Sequence, residues 1–187
     1  MLYWITRTLS LILFKILFRL KVFGRDNIPP GGFLIASNHN SLTDPPLIGA
    51  VFPRGVYFMA KKELFEIPLF GKLIKKTHAF PVNRGRPSPA TFKKSIRLLK
   101  SGKILLVFPE GTRKSRRVHP GISMLAHKTS VPVVPVRIIN NNRVNKLYPI
   151  TVKIGDKLEF PQNPDKKVTS GEYRRFAQKV MKTVYSL

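Results

Sequence analysis

Cysteine is absent from the chain, which excludes disulfides, thiolate metal sites and a cysteine nucleophile. Acidic residues are scarce as well: 9 Asp+Glu stand against 34 Lys+Arg, a formal net charge of +25. A field of that sign attracts polyanions, whether nucleic acid, an anionic bilayer surface or phosphate-bearing ligands. The cations are spread along the whole chain, and no zinc finger, RNP motif or other familiar nucleic-acid module is legible. Long apolar runs are missing too. The longest uncharged stretch near the N-terminus, Thr8 to Phe14, falls far short of the ~20 residues a membrane span requires. What the chain does have is 187 residues, 43% of them hydrophobic and 13 of them phenylalanine, enough for one domain with a real core.

Met1 to Val22 is rich in Leu, Ile, Phe, Trp and Tyr and has neither Pro nor Gly, which predicts a helix. On a helical wheel Arg7, Thr8, Lys15 and Arg19 fall within about 120° of one another, and the remaining arc is mostly apolar. Cations interrupt the apolar stretch and no small-residue cleavage site follows, so a signal peptide fits poorly. The pattern predicts an interfacial amphipathic helix, residues 1–22, that associates with a membrane, followed by a second unit, residues 23–187. An amphipathic helix packed on its own domain has the same pattern.

Beyond the turn-rich connector Gly24 to Gly32, short apolar runs alternate with helical segments. Strands are predicted at Phe33–Ala36, Val56–Ala60, Ala79–Val82, Ile104–Phe108, Val131–Ile139 and Tyr148–Ile154. Pro135 inside the fifth of these argues for an edge or bulged strand. Helices are expected from Pro45, from a Ser88 cap to Lys100, from Pro120 to Lys128 and from Ser170 to Ser186. Lys61 to Lys76 reads as short helical pieces around Pro68 and Gly71. Their apolar residues suit a bilayer or an acyl chain, and equally the core. The alternation predicts an α/β layered fold, a largely parallel or mixed sheet flanked by helices.

Ligand sites in such sheets form beyond the carboxyl ends of the strands. His39 stands in the turn after the first predicted strand, and Asp44 follows five residues later at the helix start. That separation lets the carboxylate hold one imidazole nitrogen while the other faces a substrate hydroxyl, the arrangement of a general base. A polar turn residue and a helix cap would use the same residue types. Two further strand ends carry functional groups, Asn83 to Arg86 and Glu110-Gly111-Thr112-Arg113. Guanidinium forks and backbone N–H groups beside Gly111 suit phosphate oxygens. Taken singly, Arg84 reads as a solvated surface residue and residues 110–113 as a simple turn.

Asn38-His39-x4-Asp44, then Phe80-Pro-Val-Asn-Arg84, then Phe108-Pro-Glu-Gly-Thr-Arg113, then Val131-Pro-Val-Val-Pro135 resembles, in order, the motif set of the glycerophospholipid acyltransferase family. The likeness covers roughly residues 20–160 and is strongest to bacterial members that acylate 1-acyl-glycerol-3-phosphate (lysophosphatidic acid). The resemblance implies transfer of a fatty acyl group from an acyl thioester, carried by acyl carrier protein or coenzyme A, to the free sn-2 hydroxyl, giving phosphatidic acid. It implies that His39 is the base and that Asp44 orients it. It implies further that Arg84, Glu110, Gly111, Thr112 and Arg113 bind the glycerol phosphate, and that Val131–Val136 shapes the acyl pocket. No metal or cofactor is implied, and no nucleic acid. The implied location is the cytoplasmic face of a bacterial cell membrane, as a peripheral or monotopic protein.

Three positions depart from the family pattern: Asn83 where an acidic residue is common, Lys114 where serine is frequent, and His119 where a lysine often stands. All bear on the acceptor more than on the reaction. A different lyso-lipid acceptor is therefore a second expectation. A basic module that binds membrane or nucleic acid, with inactive motifs, is a third.

Overall fold

The computed structural model describes residues 1–83, 88–111, 117–140, 149–163, 165 and 167–187. Its elements in chain order are α1 (Leu2–Phe18), β1 (Lys21–Phe23), β2 (Phe33–Ser37), α2 (Asp44–Val51), β3 (Val56–Lys61), α3 (Phe70–Lys76) and β4 (Ala79–Val82). There follow α4 (Pro89–Lys100), β5 (Ile104–Val107), α5 (Gly121–Thr129), β6 (Val133–Asn140), β7 (Ile150–Ile154) and α6 (Ser170–Ser186). The strands form one 7-stranded sheet in the order β1-β7-β6-β2-β5-β3-β4. From β6 to β4 every neighbouring pair is parallel; β7 is antiparallel to β6, and β1 is parallel to β7. The α/β layered expectation holds, with a sheet that is largely parallel and mixed at one edge.

Alternation along the strands builds two apolar layers. Phe33 and Ile35 of β2 join Ile104, Leu106, Val134, Val136 and the α2 residues Leu47, Ile48 and Val51 on one face. Leu34 and Ala36 join Leu105, Leu99, Ile122, Leu125 and the α6 residues Phe176, Val180 and Val184 on the other. All five residues of β2 are buried, as expected of a central parallel strand covered on both faces. β2 and β5 are adjacent, so the turns at their carboxyl ends are neighbours.

Two predicted features are corrected. The helix expected over residues 1–22 ends at Phe18, where Arg19 takes a left-handed conformation (φ 44°, ψ 46°) and its N–H bonds back to the Phe14 carbonyl. Lys21–Phe23 then pairs with Thr151–Lys153 as the short edge strand β1. Pro135 does not mark an edge strand, because β6 lies between β2 and β7. Its carbonyl accepts from the Gly155 N–H at 2.9 Å, so its missing N–H also faces the β7 side. The regular β6–β7 ladder starts one residue later, at Val136 and Ile154, so the bond that Pro135 cannot donate falls at the end of the ladder.

α1 packs on the domain along a line through Tyr3, Arg7, Ser10 and Phe14, while Thr8, Lys15 and Arg19 stay exposed. Tyr3 and Phe14 are buried, and Arg7 Nε donates to the Phe52 carbonyl at 2.9 Å. The Tyr3 hydroxyl accepts from the Val56 N–H at 2.8 Å, and the Tyr3 ring stacks on His78 with centroids 4.1 Å apart. Tyr57 covers the opposite face of His78 at 4.4 Å. Burial, with Lys103 adding, pushes the His78 imidazole below its ordinary pKa, and its Nδ1 meets no hydrogen-bond partner among the described residues. Outward, α1 exposes Trp4, Ile5, Leu9, Ile12, Leu13 and Ile16. Among the described residues no helix is long and apolar enough to cross a membrane.

Candidate active site

The β2–α2 turn fixes the central pair. Asn38, at the end of β2, acts as an extra rung of the sheet: its Nδ2 donates to the Ile138 carbonyl at 2.9 Å, and its Oδ1 accepts from the Ile138 N–H at 2.8 Å. A buried amide satisfied on both sides holds the exit of β2 against β6. The chain then turns, and Asp44 enters the first turn of α2 with Pro45 and Pro46 behind it. Thr43, not Asp44, is the residue at the N-cap.

Asp44 Oδ2 gathers three donors. His39 Nδ1 lies 2.9 Å away, and the Asn40 and Ser41 N–H groups donate to the same oxygen at 2.7 Å each. A carboxylate accepts and does not donate, so in its neutral form His39 carries its proton on Nδ1 and keeps a lone pair on Nε2. The imidazole is 6% exposed and stacks on the Phe108 ring, centroids 4.0 Å apart at 16°. Carboxylate on one side and aromatic face on the other leave the ring little rotational freedom. The Asn40 and Ser41 N–H groups are thus committed to Asp44 rather than left to hold a developing oxyanion.

His39 opens on a cavity of about 1190 Å³. Its walls are mostly apolar, with Phe58, Leu64, Phe70, Leu73, Phe92 and Leu125 among them, and α1 contributes Tyr3, Thr6, Arg7 and Ser10. A cavity with few polar groups and one oriented base at its wall is suited to an apolar substrate that reacts at a single polar point. The Lys61–Lys76 segment therefore faces this cavity with Lys61, Leu64, Phe70, Leu73 and Ile74.

Of the other residues singled out in sequence, Glu110 and Gly111 lie in the turn after β5, next to the His39 turn. Glu110 is buried, and its Oε1 accepts from the Tyr185 hydroxyl at 2.7 Å. Gly111 takes φ 70°, a left-handed conformation that favours glycine, and lines the cavity beside His119. Asn83, at the end of β4, lines the same cavity from two strands further along the sheet. Arg84, Thr112 and Arg113 lie outside the described residues. Among the described residues no group of three or more His, Asp or Glu side chains is placed to hold a metal ion.

Sequence reasoning missed three contributors. Phe108 belongs to a recognised motif, but nothing local says that its ring covers His39. Asn38 and Tyr185 act through partners 100 and 75 residues away, which no spacing rule reveals.

The Acyltransferase family model matches residues 19–139, a segment that holds both turns and stops before β7 and α6. A 1-acyl-sn-glycerol-3-phosphate acyltransferase of Bacillus subtilis is 41% identical over 119 residues, 62% of this chain and 60% of that protein. One from Streptococcus pneumoniae is 33% identical over 144 residues, covering 70% and 54% respectively. The chain thus spans 54–60% of the length of these two relatives. The crystal structure of the 1-acyl-sn-glycerophosphate acyltransferase PlsC from Thermotoga maritima superposes with a TM-score of 0.72 at 28% identity, over 98% of this chain and 78% of that one. The chain belongs to the Acyltransferase family.

Proposed function

We propose that the protein is an O-acyltransferase that moves a fatty acyl group from an acyl thioester to the free sn-2 hydroxyl of 1-acyl-glycerol-3-phosphate, giving phosphatidic acid. The observation that carries the reading is the His39–Asp44 pair, 2.9 Å apart at the wall of an apolar cavity. His39 Nε2 takes the hydroxyl proton as the oxygen attacks the thioester carbonyl. Asp44 stabilises the imidazolium that results. The tetrahedral intermediate collapses with loss of the C–S bond, and the leaving thiolate recovers the proton from His39. No covalent enzyme intermediate is needed. The acyl chain occupies the cavity, and Arg84, Glu110, Gly111, Thr112 and Arg113 bind the acceptor headgroup. The acyl thioester arrives on acyl carrier protein or coenzyme A.

The test is acyl transfer in detergent micelles to lysophosphatidate, beside lyso-lipids with zwitterionic or aminoacyl headgroups. Preference for lysophosphatidate is the expected result. Equal rates without the acceptor phosphate would replace this acceptor by another lyso-lipid, the reading that Asn83 and His119 favour.

We also propose that α1 rests its outward apolar face on an anionic membrane, at the cytoplasmic side of the bacterial cell membrane. The net charge of +25 complements such a surface. Leu9, Ile12 and Ile16 (the last 71% exposed) make no core contribution that their replacement would remove. Converting all three to serine is expected to lower partition onto anionic vesicles at least about tenfold, since each apolar side chain contributes on the order of 1 kcal/mol or more. The melting temperature should stay within a few degrees. Unchanged co-sedimentation with vesicles would move the membrane contact elsewhere on the protein.

A further inference from the structure

Glu110 is a carboxylate 5% exposed, in the turn next to the catalytic one. None of the ion pairs among the described residues involves it. The hydrogen bond it does receive comes from far away in the chain, from the hydroxyl of Tyr185 in the last turn of α6. At 2.7 Å, a phenolic O–H on a carboxylate oxygen is a charge-assisted bond, stronger than a neutral pair and directional. Among the described residues the other oxygen, Oε2, takes no hydrogen bond.

The helix end that supplies this hydroxyl is itself held in place. Arg137 of β6 donates through Nη1 to the Tyr185 carbonyl at 2.6 Å. The Lys153 ammonium of β7 donates to the backbone oxygen of Leu187. The Leu187 side chain lies so close to Gly155 that a Cβ there would come within 2.9 Å of it. Arg137 and Lys153 stand opposite each other in the antiparallel β6–β7 pair, so one cross-strand pair grips the end of the helix. α6 also packs its buried face on β2 and α5, which fixes its axis. The hydroxyl is thereby presented from a rigid element, as positioning of a reacting or binding group requires.

From this geometry we infer that Tyr185 is a positioning residue for the acceptor: its hydroxyl orients Glu110 so that the second carboxylate oxygen meets the acceptor's glycerol hydroxyl or phosphate shell. The inference rests on the acyl-transfer reading and assigns α6, which lies outside the family-matched segment, a part in substrate selection. Tyr185 touches no substrate. Without its hydroxyl, Glu110 samples rotamers that do not meet the acceptor, which weakens acceptor binding and leaves the thioester side alone.

The test is steady-state kinetics of Tyr185→Phe with the acceptor and the donor varied separately. The expected result is a rise of about five- to tenfold in acceptor KM, with donor KM and kcat within about twofold of wild type. Phenylalanine retains the ring, so the melting temperature should not move by more than a few degrees. Glu110→Gln alone should raise acceptor KM at least as much, and the Tyr185→Phe/Glu110→Gln double variant should be no worse than Glu110→Gln, because both act through one contact. An unchanged acceptor KM in Tyr185→Phe, or additive effects in the double variant, overturns the inference. Absence of acyl transfer to every lyso-lipid by wild-type protein would instead overturn the functional reading, so the two failures are distinct.

Discussion

Replacing His39 by alanine is expected to lower kcat for acyl transfer by about 10²–10⁴-fold, the range a positioned general base contributes. The acceptor hydroxyl is a poor nucleophile until its proton begins to leave, and Nε2 is the lone pair that the Nδ1–Asp44 bond leaves facing the cavity. Substrate binding should persist, because the cavity walls that hold an acyl chain are untouched. Acceptor and donor KM are therefore expected within a few-fold of wild type. Stability should fall modestly. Truncation leaves an imidazole-sized void against Phe108, but Asp44 keeps its bonds from Asn40 and Ser41, so no buried charge is stranded. The measurement is kcat beside a melting curve. A kcat within tenfold of wild type, in a folded protein, would remove His39 from the chemistry.

The place of the His39 turn in the fold was legible in sequence for a physical reason. Phe33–Ala36 is apolar at every position, which only a strand covered on both faces needs, and Pro45-Pro46 announces a helix start a few residues on. The residues between have nowhere to go but the carboxyl edge of the sheet. The layered alternation put the three turns at the carboxyl edge of the sheet. It did not say that the β2 and β5 turns are neighbours or that β4 lies two strands beyond β5, because strand order is set by crossovers that composition does not encode. The errors have local causes. β1 is three residues long and continues an apolar helical pattern, and the residue that ends α1 is an arginine in the left-handed region, not a glycine or proline. Pro135 misleads because what matters is the side its nitrogen faces and where β7 ends. α1 shows the limit most clearly. Its amphipathic pattern did not say which line the domain takes: the inward one runs through Tyr3, Arg7 and Phe14, while Thr8, Lys15 and Arg19 of the cationic stripe stay exposed.

Asp44 yields the second large effect, and two substitutions separate its two roles. Its Oδ2 is the meeting point of one imidazole and two backbone N–H groups. Asp44→Ala removes the acceptor for all three. The Asn40 and Ser41 N–H groups then lose their partner in a half-buried turn, at a cost of about 2–4 kcal/mol of stability in all. His39 loses both its orientation and the charge that stabilises its protonated form, and kcat should fall about 10²–10⁴-fold, as for His39→Ala. Asp44→Asn keeps an oxygen for the turn and for Nδ1–H but carries no charge. It should therefore hold its stability within about 1 kcal/mol of wild type while still losing about 10²-fold or more in kcat, since the imidazolium then forms without a counter-charge. The double variant His39→Ala/Asp44→Ala decides whether the pair is a unit. If Asp44 acts through His39, the double variant turns over no more slowly than His39→Ala, because the carboxylate has no base left to assist. Multiplicative losses would mean that Asp44 reaches the reaction by a route independent of the imidazole, and the two-residue base would have to be abandoned.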